Sequence, residues 1–340
     1  MEGNQCHATA KEVLVYRRIL VPLDGTRFGD QALPPAIDIA VRTGASIELV
    51  HVHRYTEREG MPSAMPQYQF QHVAEADARY DASVMDLERR ALEETAADIE
   101  LRYPVEVRTR VLTGRTADAI LGEAGDIVAD LVVLSSHARS GLERLRHGSV
   151  AHSLLAHLNV PTLCVHPVGE DTDVVSRRVE RVLIPLDGSP FSEQILEAMG
   201  PLLAALKAQP ALVHVVAPRP FLGSGTDDTY RIIVNREQAL NYLHDVADRW
   251  RGRMPEPVLL AFEDAQPASL IAGLLSVGDY DMVAMATHGR GGLSAMIMGS
   301  VANDVLAASH VPILLYRPRS VPLPGLASVV ISGDSPDART

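Results

Sequence analysis

The chain has 340 residues, a formal net charge of −12 and a hydrophobic fraction of 46%. This length allows roughly two or three domains with sizeable cores. The acidic balance argues against duplex nucleic acid or an anionic membrane as the main partner. Two cysteines are too few for a disulfide framework, and no apolar run approaches the ~18 residues of a membrane-spanning helix. Because the first residues contain no apolar signal segment, the expected location is cytoplasmic.

The chain contains an internal repeat. The segment RRILVPLDGT (residues 17–26) recurs as RVLIPLDGS (residues 181–189), so that Asp24 and Asp187 stand 163 positions apart. Toward the end of each half the offset falls to 151. The first half therefore carries about 12 extra residues in its middle, and the order of the elements is preserved. Such a repeat predicts two domains of one fold.

Each half alternates apolar, strand-like runs with segments of helical periodicity. In the first half the expected strands are Ile19–Leu23, Ile47–Val52, Val105–Leu112, Leu131–Ser135 and Thr162–Val165. The expected helices are 32–40, 73–101, 116–124 and 148–158, with a polar loop over 54–72. Alternating elements of this kind predict an α/β fold with a parallel sheet and helices on both faces. The expected domains are 17–168 and 179–318, with flexible tails at 1–16 and 319–340.

The last strand of each half (residues 162–166 and 313–317) is apolar and lies at the end of its domain. An exposed apolar edge strand tends to pair with another strand. These two strands are therefore expected to pair either between the two halves or between subunits.

Asp24 and Asp187 each follow a predicted first strand and precede Gly-Thr or Gly-Ser. Ligands of doubly wound sheets bind beyond the carboxyl ends of the strands, where the strand order reverses. An aspartate there can accept a hydrogen bond from a ribose or a base. The alternative is turn chemistry, in which Asp-Gly forms a tight turn and the hydroxyl caps the next helix. The sequence leaves both readings open.

A second shared feature is a loop that follows a buried strand and leads into a helix. In the second half His288-Gly289 precedes Gly299-Ser300, and in the first half His137-Ala138 precedes Gly148-Ser149, with the same spacing. Glycine allows close approach to the backbone, and a helix N-terminus attracts anions. This pattern predicts a phosphate-binding loop.

These motifs resemble those of the universal stress protein family, whose nucleotide-binding pattern is Gly-x-x-Gly, nine residues, then Gly-Ser or Gly-Thr. The resemblance covers both halves. It implies two Rossmann-like (adenine nucleotide alpha hydrolase-like) domains, each a five-stranded parallel sheet with helices on both faces. It also implies ATP as the ligand, with Mg²⁺ as an accompanying ion, and a dimer-like packing of the two domains, with a homodimer as a further option.

By this resemblance the second half is expected to carry the better nucleotide site. Asp187 would lie near the adenosine and Val215 would contact the base through its backbone, while the loop and the helix start would face the phosphates. The full set for the second half is Asp187, Val215, Ala286, His288, Gly289, Arg290, Gly299, Ser300 and Val301. Ala286 replaces the first glycine of the family pattern.

The first half departs further from the pattern, because Ser135 and Ala138 replace its first two glycines. A weaker or empty site is therefore expected there. The corresponding residues are Asp24, Val52, Ser135, Ala138, Gly148 and Ser149. Arg139, like Arg290, could pair with a phosphate or simply be solvated, and Arg144 and Arg146 are expected to be solvated.

No catalytic or metal-binding constellation is predicted. His137 and His288 are expected to make structural hydrogen bonds, and His51 and His53 are expected to point to opposite faces of a strand, so that they cannot chelate a metal together. The His-x-Gly-His and Ser-Gly-Gly signatures of adenylating relatives of the fold are missing, so slow ATP hydrolysis is the most that is expected. The favoured function is a stress-response protein that senses adenine nucleotide, without nucleic-acid or membrane partners. The alternative is a scaffold of the same fold that binds no nucleotide.

Overall fold

The computed structural model describes residues 16–55, 67–135, 149–166, 178–218, 228–278, 280–287 and 298–318. The strands of the first half are β1 Arg18–Pro22, β2 Ser46–His53, β3 Val107–Thr113, β4 Leu131–Ser135 and β5 Thr162–Val165. Its helices are α1 Arg27–Asp30, α2 Leu33–Thr43, α3 Gln67–Arg102, α4 Thr116–Asp126 and α5 Ser149–His157.

The second half repeats this order of elements. Its strands are β6 Arg181–Leu186, β7 Gln209–Val216, β8 Val258–Glu263, β9 Met282–Ala286 and β10 Ile313–Tyr316. Its helices are α6 Pro190–Glu193, α7 Ile195–Leu206, α8 Asp228–Arg249, α9 Pro267–Val277 and α10 Ser300–Ala308. The internal repeat of the sequence is therefore a repeat of structure.

The strands form one continuous sheet in the order β3-β2-β1-β4-β5-β10-β9-β6-β7-β8. Neighbouring strands within each half are parallel, whereas β5 and β10 pair antiparallel. The expected fold, a five-stranded parallel sheet in each half, is confirmed. Because the central pair is antiparallel, the strands of the two halves run in opposite directions. The carboxyl ends of the two half-sheets therefore lie on opposite sides of the whole sheet, along the strand direction.

The seam between the halves is made by the two terminal strands. Leu314 of β10 faces Leu163 of β5 in register, and both side chains are fully buried. Of the two pairings left open by the sequence, the structure shows the one between the repeats. Contacts beside the seam join the halves further, since the Tyr16 hydroxyl donates to the Ala198 carbonyl at 2.8 Å and Arg42 donates to the Leu206 carbonyl at 2.7 Å.

Helices cover both faces of the sheet. One core contains apolar residues of α2, α3, α7 and α8, and the other contains those of α4, α5, α9 and α10. Successive residues of a strand pack into different cores. In β1, for example, Ile19 and Val21 lie in the first core and Leu20 lies in the second. Each core includes residues of both halves, so the apolar packing is continuous across the seam.

The largest difference from the expected elements is at the start of α3. The sequence predicts a loop through residue 72, but the helix begins at Gln67. Pro66 directly precedes this start, and no Gly or Pro interrupts the sequence from there to Arg102. The polar composition of 67–72 suggested a loop, yet nothing in it breaks a helix. In the described parts of the chain, no helix combines the length and hydropathy needed to cross a membrane.

The seam is expected to be an essential part of the core. Leu314→Ala should lower the free energy of unfolding by about 2–5 kcal/mol, because it removes a fully buried side chain at the centre of the sheet. Urea unfolding monitored by circular dichroism measures this loss. The matched control is Val277→Ala at the end of α9, where the side chain is 90% exposed, and its effect should stay within about 0.5 kcal/mol. Equal effects of the two substitutions would contradict a packed seam.

Candidate functional site

The first half opens a crevice where its strand order reverses. The chain passes from β1 to β2 and β3 on one side and then returns to β4 on the other side of β1. A cavity of about 610 Å³ lies beyond the carboxyl ends of these strands. Asp24, Val52 and Ser135, three of the residues predicted for the weaker site, line this cavity together.

Asp24 also organises the turn that follows β1. Its Oδ1 accepts from the Thr26 backbone N–H at 3.1 Å and from the Thr26 hydroxyl at 2.6 Å. The Thr26 hydroxyl oxygen accepts in turn from the Gly29 N–H at 3.1 Å and so caps α1. The turn chemistry considered for this motif is present, and it holds the carboxylate at the rim of the cavity.

Gly29 allows Asp24 to lie against α1. A Cβ at residue 29 would stand only 2.4 Å from Asp24 Oδ1. The repeat has Ser192 at the corresponding position, where the hydroxyl contacts the Asp187 N–H at 3.2 Å. Asp187 Oδ1 accepts from the Ser189 hydroxyl at 2.6 Å, so the turn itself is shared. The two halves thus keep the same turn and pack its aspartate differently.

A histidine on the second strand supports the crevice in both halves. His51 Nδ1 lies 2.9 Å from the Leu23 carbonyl oxygen, and His214 Nδ1 lies 2.7 Å from the Leu186 carbonyl oxygen. A carbonyl cannot donate, so Nδ1 carries the proton in both rings. Each histidine therefore ties the end of the first strand to the second strand, which accounts for its repetition in the sequence.

A carboxylate on α3 joins two histidines at the first-half cavity. Glu88 Oε1 lies 3.3 Å from His51 Nε2, and Glu88 Oε2 lies 2.8 Å from His53 Nδ1. The expectation that His51 and His53 point to opposite faces is wrong, because residues two apart in a strand share a face. Both rings converge on Glu88, which lines the cavity.

The second half has an aromatic wall in the same region. The His214 and Tyr242 rings lie 5.0 Å apart between centroids, and the Tyr242 hydroxyl donates to Glu193 Oε1 at 3.1 Å. Burial, and then the charge of the adjacent Glu193, raise the pKa of the Tyr242 phenol well above its ordinary value. The phenol therefore stays a hydrogen-bond donor.

Three of the residues predicted for the second half, Asp187, Val215 and Ala286, lie at the carboxyl ends of adjacent strands, on the opposite side of the sheet from the first-half cavity. Leu186 is in register with His214, so Asp187 and Val215 follow at the same level, and Ala286 ends the neighbouring strand β9. Gly299 is the N-cap residue of α10 and contributes no capping side chain. Helix α10 begins with Ser300 and Val301. Its first N–H groups receive no hydrogen bond from a Gly299 side chain, so they suit an anion.

Gly299 packs closely against the end of β9. Its N–H donates to the Thr287 carbonyl at 2.7 Å, and an added Cβ would stand 3.2 Å from that same oxygen. Glycine at this position lets the helix start reach the strand end. In the first half, Ser149 is likewise the first residue of its helix, α5.

Several predicted residues lie outside the described residues, and their positions stay predictions. They are His137, Ala138, Arg139, Arg144, Arg146, Gly148, His288, Gly289 and Arg290.

Sequence reasoning did not assign four polar or charged cavity residues to the site: His51, Arg54, Glu88 and Thr116. Glu88 lies in a charged helix whose sequence is typical of a solvated face, so no local pattern singles it out. The one available signal was the repeated histidine, which marks the strand that Glu88 contacts.

Metal and thiol chemistry find no support in the described residues. Among these residues, no group of three or more His, Cys, Asp or Glu is arranged to hold a metal ion. Cys164 is fully buried in β5, and this burial raises the pKa of its thiol to about 12. The thiol is therefore protonated and unreactive at neutral pH.

Comparisons with known proteins agree on one family. The model of the universal stress protein family matches residues 15–166 and again residues 178–317. A universal stress protein of Mycobacterium tuberculosis is 31% identical over 197 residues, which are 56% of this chain and 62% of that protein. The chain thus spans less than two thirds of the length of this relative. The universal stress protein of Methanocaldococcus jannaschii is 24% identical over 143 residues, 41% of this chain and 82% of that protein.

Solved structures support the same fold. A universal stress protein of Archaeoglobus fulgidus covers 90% of this chain and 98% of its own, with a TM-score of 0.60 and 17% identity. Another universal stress protein, solved in complex with cAMP, covers 42% of this chain with a TM-score of 0.32 and 17% identity. At that level of similarity, the bound cAMP describes that protein and carries no argument about this chain.

The shared turn is expected to contribute measurably to stability. Ser189→Ala removes the hydroxyl that caps α6 and donates to Asp187, so the free energy of unfolding should fall by about 1 kcal/mol. Urea unfolding of the full chain measures this change. The control is Ser276→Ala in α9, where the hydroxyl only donates back to the Ala272 carbonyl and the loss should stay below about 0.5 kcal/mol. A Ser189→Ala effect no larger than that of the control would argue against the capped turn.

Proposed function

The chain belongs to the universal stress protein family, and from that premise we propose that it binds adenine nucleotide, ATP in particular, and acts as a sensor or regulator in a stress response. The observation that carries this proposal is the cavity of about 610 Å³ at the point where the strand order reverses. Its size lies within the range typical of small-molecule sites. Asp24 directly follows the end of β1, and Val52 and Ser135 lie in the adjacent strands β2 and β4; all three line this cavity.

The chemistry of the cavity suits a nucleotide. Its walls are largely apolar, with Ile120, Leu134 and Leu154 among them, which favours a flat base. The hydroxyls of Thr116 and Ser135 and the carboxylate of Asp24 offer hydrogen bonds to a sugar. The first turn of α5 contributes Val150 and Ala151, so a helix N-terminus borders the end at which a phosphate would lie.

We propose that the second half binds ATP more tightly than the first. Its loop retains Gly289 where the first half has Ala138, and an added methyl group hinders close approach of a phosphate to the backbone. The close contact of Gly299 with Thr287 and the start of α10 without a capping side chain support a phosphate position there. A Mg²⁺ ion would accompany the phosphates as part of the ligand.

The alternative function is a scaffold that binds no nucleotide. The continuous sheet is compatible with this alternative, because a fold by itself does not imply a ligand and the same fold can serve protein contacts. The two functions differ in one simple observable, the binding of ATP.

We expect purified protein to bind ATP. Heat denaturation followed by chromatography of the supernatant should release adenine nucleotide that was purified with the protein, and calorimetry with the nucleotide-free protein and ATP–Mg²⁺ should show saturable binding. Failure of the full chain to bind ATP, with or without Mg²⁺, would overturn the proposal in favour of the scaffold.

The asymmetry between the halves predicts unequal effects of equivalent substitutions. Gly299→Glu puts a carboxylate at the start of α10, where it repels a phosphate, and should remove the tighter binding phase or weaken it at least about tenfold. Gly148→Glu in the first half should leave that phase unchanged. Both are measured by calorimetry with ATP–Mg²⁺.

Each substitution has a matched control on the adjacent helix. Gly273→Glu in α9 and Gly122→Glu in α4 introduce the same carboxylate at exposed glycines whose added Cβ meets no atom within 4 Å. Neither control should change ATP affinity by more than about twofold. Loss of the tighter phase in Gly148→Glu rather than Gly299→Glu would reverse the assignment.

A further inference from the structure

The first-half cavity contains a carboxylate that two histidines hold in place. Glu88 reaches the cavity from α3, and its side chain is 21% exposed. One oxygen lies 3.3 Å from His51 Nε2, and the other accepts a hydrogen bond from His53 Nδ1 at 2.8 Å. The His53 side chain is only 1% exposed, so it forms a rigid support behind the carboxylate rather than a contact for a ligand.

The hydrogen bonds require protons at defined atoms. His51 Nδ1 donates to the Leu23 carbonyl, and its Nε2 lies 3.3 Å from Glu88 Oε1. His53 Nδ1 donates to Glu88 Oε2. A carboxylate has about four acceptor positions, and the contacts with the histidines take up at most two. Glu88 therefore keeps acceptor capacity at the wall of the cavity.

The order of the strands fixes the end of the cavity at which Glu88 lies. His51 and Val52 mark the β2 end, Asp24 stands at β1, and Ser135 with the start of α5 marks the β4 end. On the proposed function, the phosphates lie toward α5, and the base then lies over β2 beside Glu88.

The second half has no such carboxylate at the corresponding position. The buried residues Leu92 of α3 and Leu243 of α8 correspond at the offset of 151, and Glu88 then corresponds to Ala239, which is 3% exposed. His53 corresponds to Val216 at the offset of 163. The arrangement therefore belongs to the first half alone.

We propose that Glu88 is a specificity-determining residue of the first-half cavity and accepts a hydrogen bond from the exocyclic amino group of a 6-aminopurine. This inference rests on the proposed function and adds to it which residue reads the base. A ligand without that amino group covers the remaining acceptor position of the carboxylate without supplying a donor, which costs affinity. The first half then selects its ligand by the base, whereas the second half relies on its phosphate loop.

The test compares ATP with purine riboside triphosphate, which lacks only the 6-amino group. Both are titrated by calorimetry into the full chain carrying Gly299→Glu, where the introduced carboxylate repels a phosphate from the second half, so that binding reports the first half. ATP should bind about 10- to 100-fold more tightly than purine riboside triphosphate, the range for a hydrogen bond to a charged group. Both probes carry the same triphosphate, so the comparison isolates the base.

Three further variants in this background locate the effect. Glu88→Ala should reduce the preference for ATP over purine riboside triphosphate to within about twofold. Glu88→Gln keeps the size of the side chain and a neutral acceptor, and should reduce the preference to about 3- to 10-fold, since charge-assisted bonds are roughly twice as strong. Glu93→Ala removes an exposed carboxylate of the same helix and should retain the full preference. Glu88→Gln decides the question if Glu88→Ala does not fold.

The outcomes separate this inference from the proposed function. Equal affinity for ATP and purine riboside triphosphate, or an unchanged preference in Glu88→Gln, would overturn the role of Glu88 and leave nucleotide binding intact. Absence of ATP binding in the Gly299→Glu background would also overturn it, while ATP binding by the unaltered chain would still support the proposed function.

Discussion

The pairing of β5 with β10 is the interaction on which the rest of the architecture depends. Every residue of these two short strands is buried, so either half alone would expose an apolar sheet edge. Joining the edges makes one sheet and lets both helical layers pack continuously across it. Because the pair is antiparallel, the carboxyl ends of the two half-sheets lie on opposite sides of the sheet, along the strand direction. A site at the carboxyl ends of either half-sheet must therefore be complete within that half, and the two halves are free to diverge.

The divergence follows a clear division between support and lining. The parts that hold the crevice are the same in both halves: the aspartate turn and the histidine that donates to the end of the first strand. The parts that face the crevice differ, as with Gly29 against Ser192 and Glu88 against Ala239. Backbone support tolerates little change because a lost buried hydrogen bond is costly, whereas a lining residue can change with the ligand.

The sequence predicted the strands to within one or two residues at their ends, because a buried strand of a parallel sheet is a continuous apolar run between turn residues. It placed the start of α3 six residues too late. Residues 67–72 are polar, and polar composition by itself does not show where a long helix begins. The motif residues at the strand ends, Asp24, Val52 and Ser135, do line one cavity. Glu88 escaped prediction because its contact with His53 joins residues 35 positions apart in the chain, and no periodicity reports such a distance.

By itself, the sequence determined the repeat, the α/β class, the family resemblance and the carboxyl-end positions where a ligand would bind. These properties follow from periodicity and spacing, which record how each residue lies within its own element. Only the tertiary structure decided that the terminal strands pair between the halves, that the carboxyl ends of the two half-sheets lie at opposite ends of the strands, and that the His51 and His53 rings approach one carboxylate. These features depend on how separate elements pack against one another, and packing is set by the shapes of surfaces that are distant in the chain.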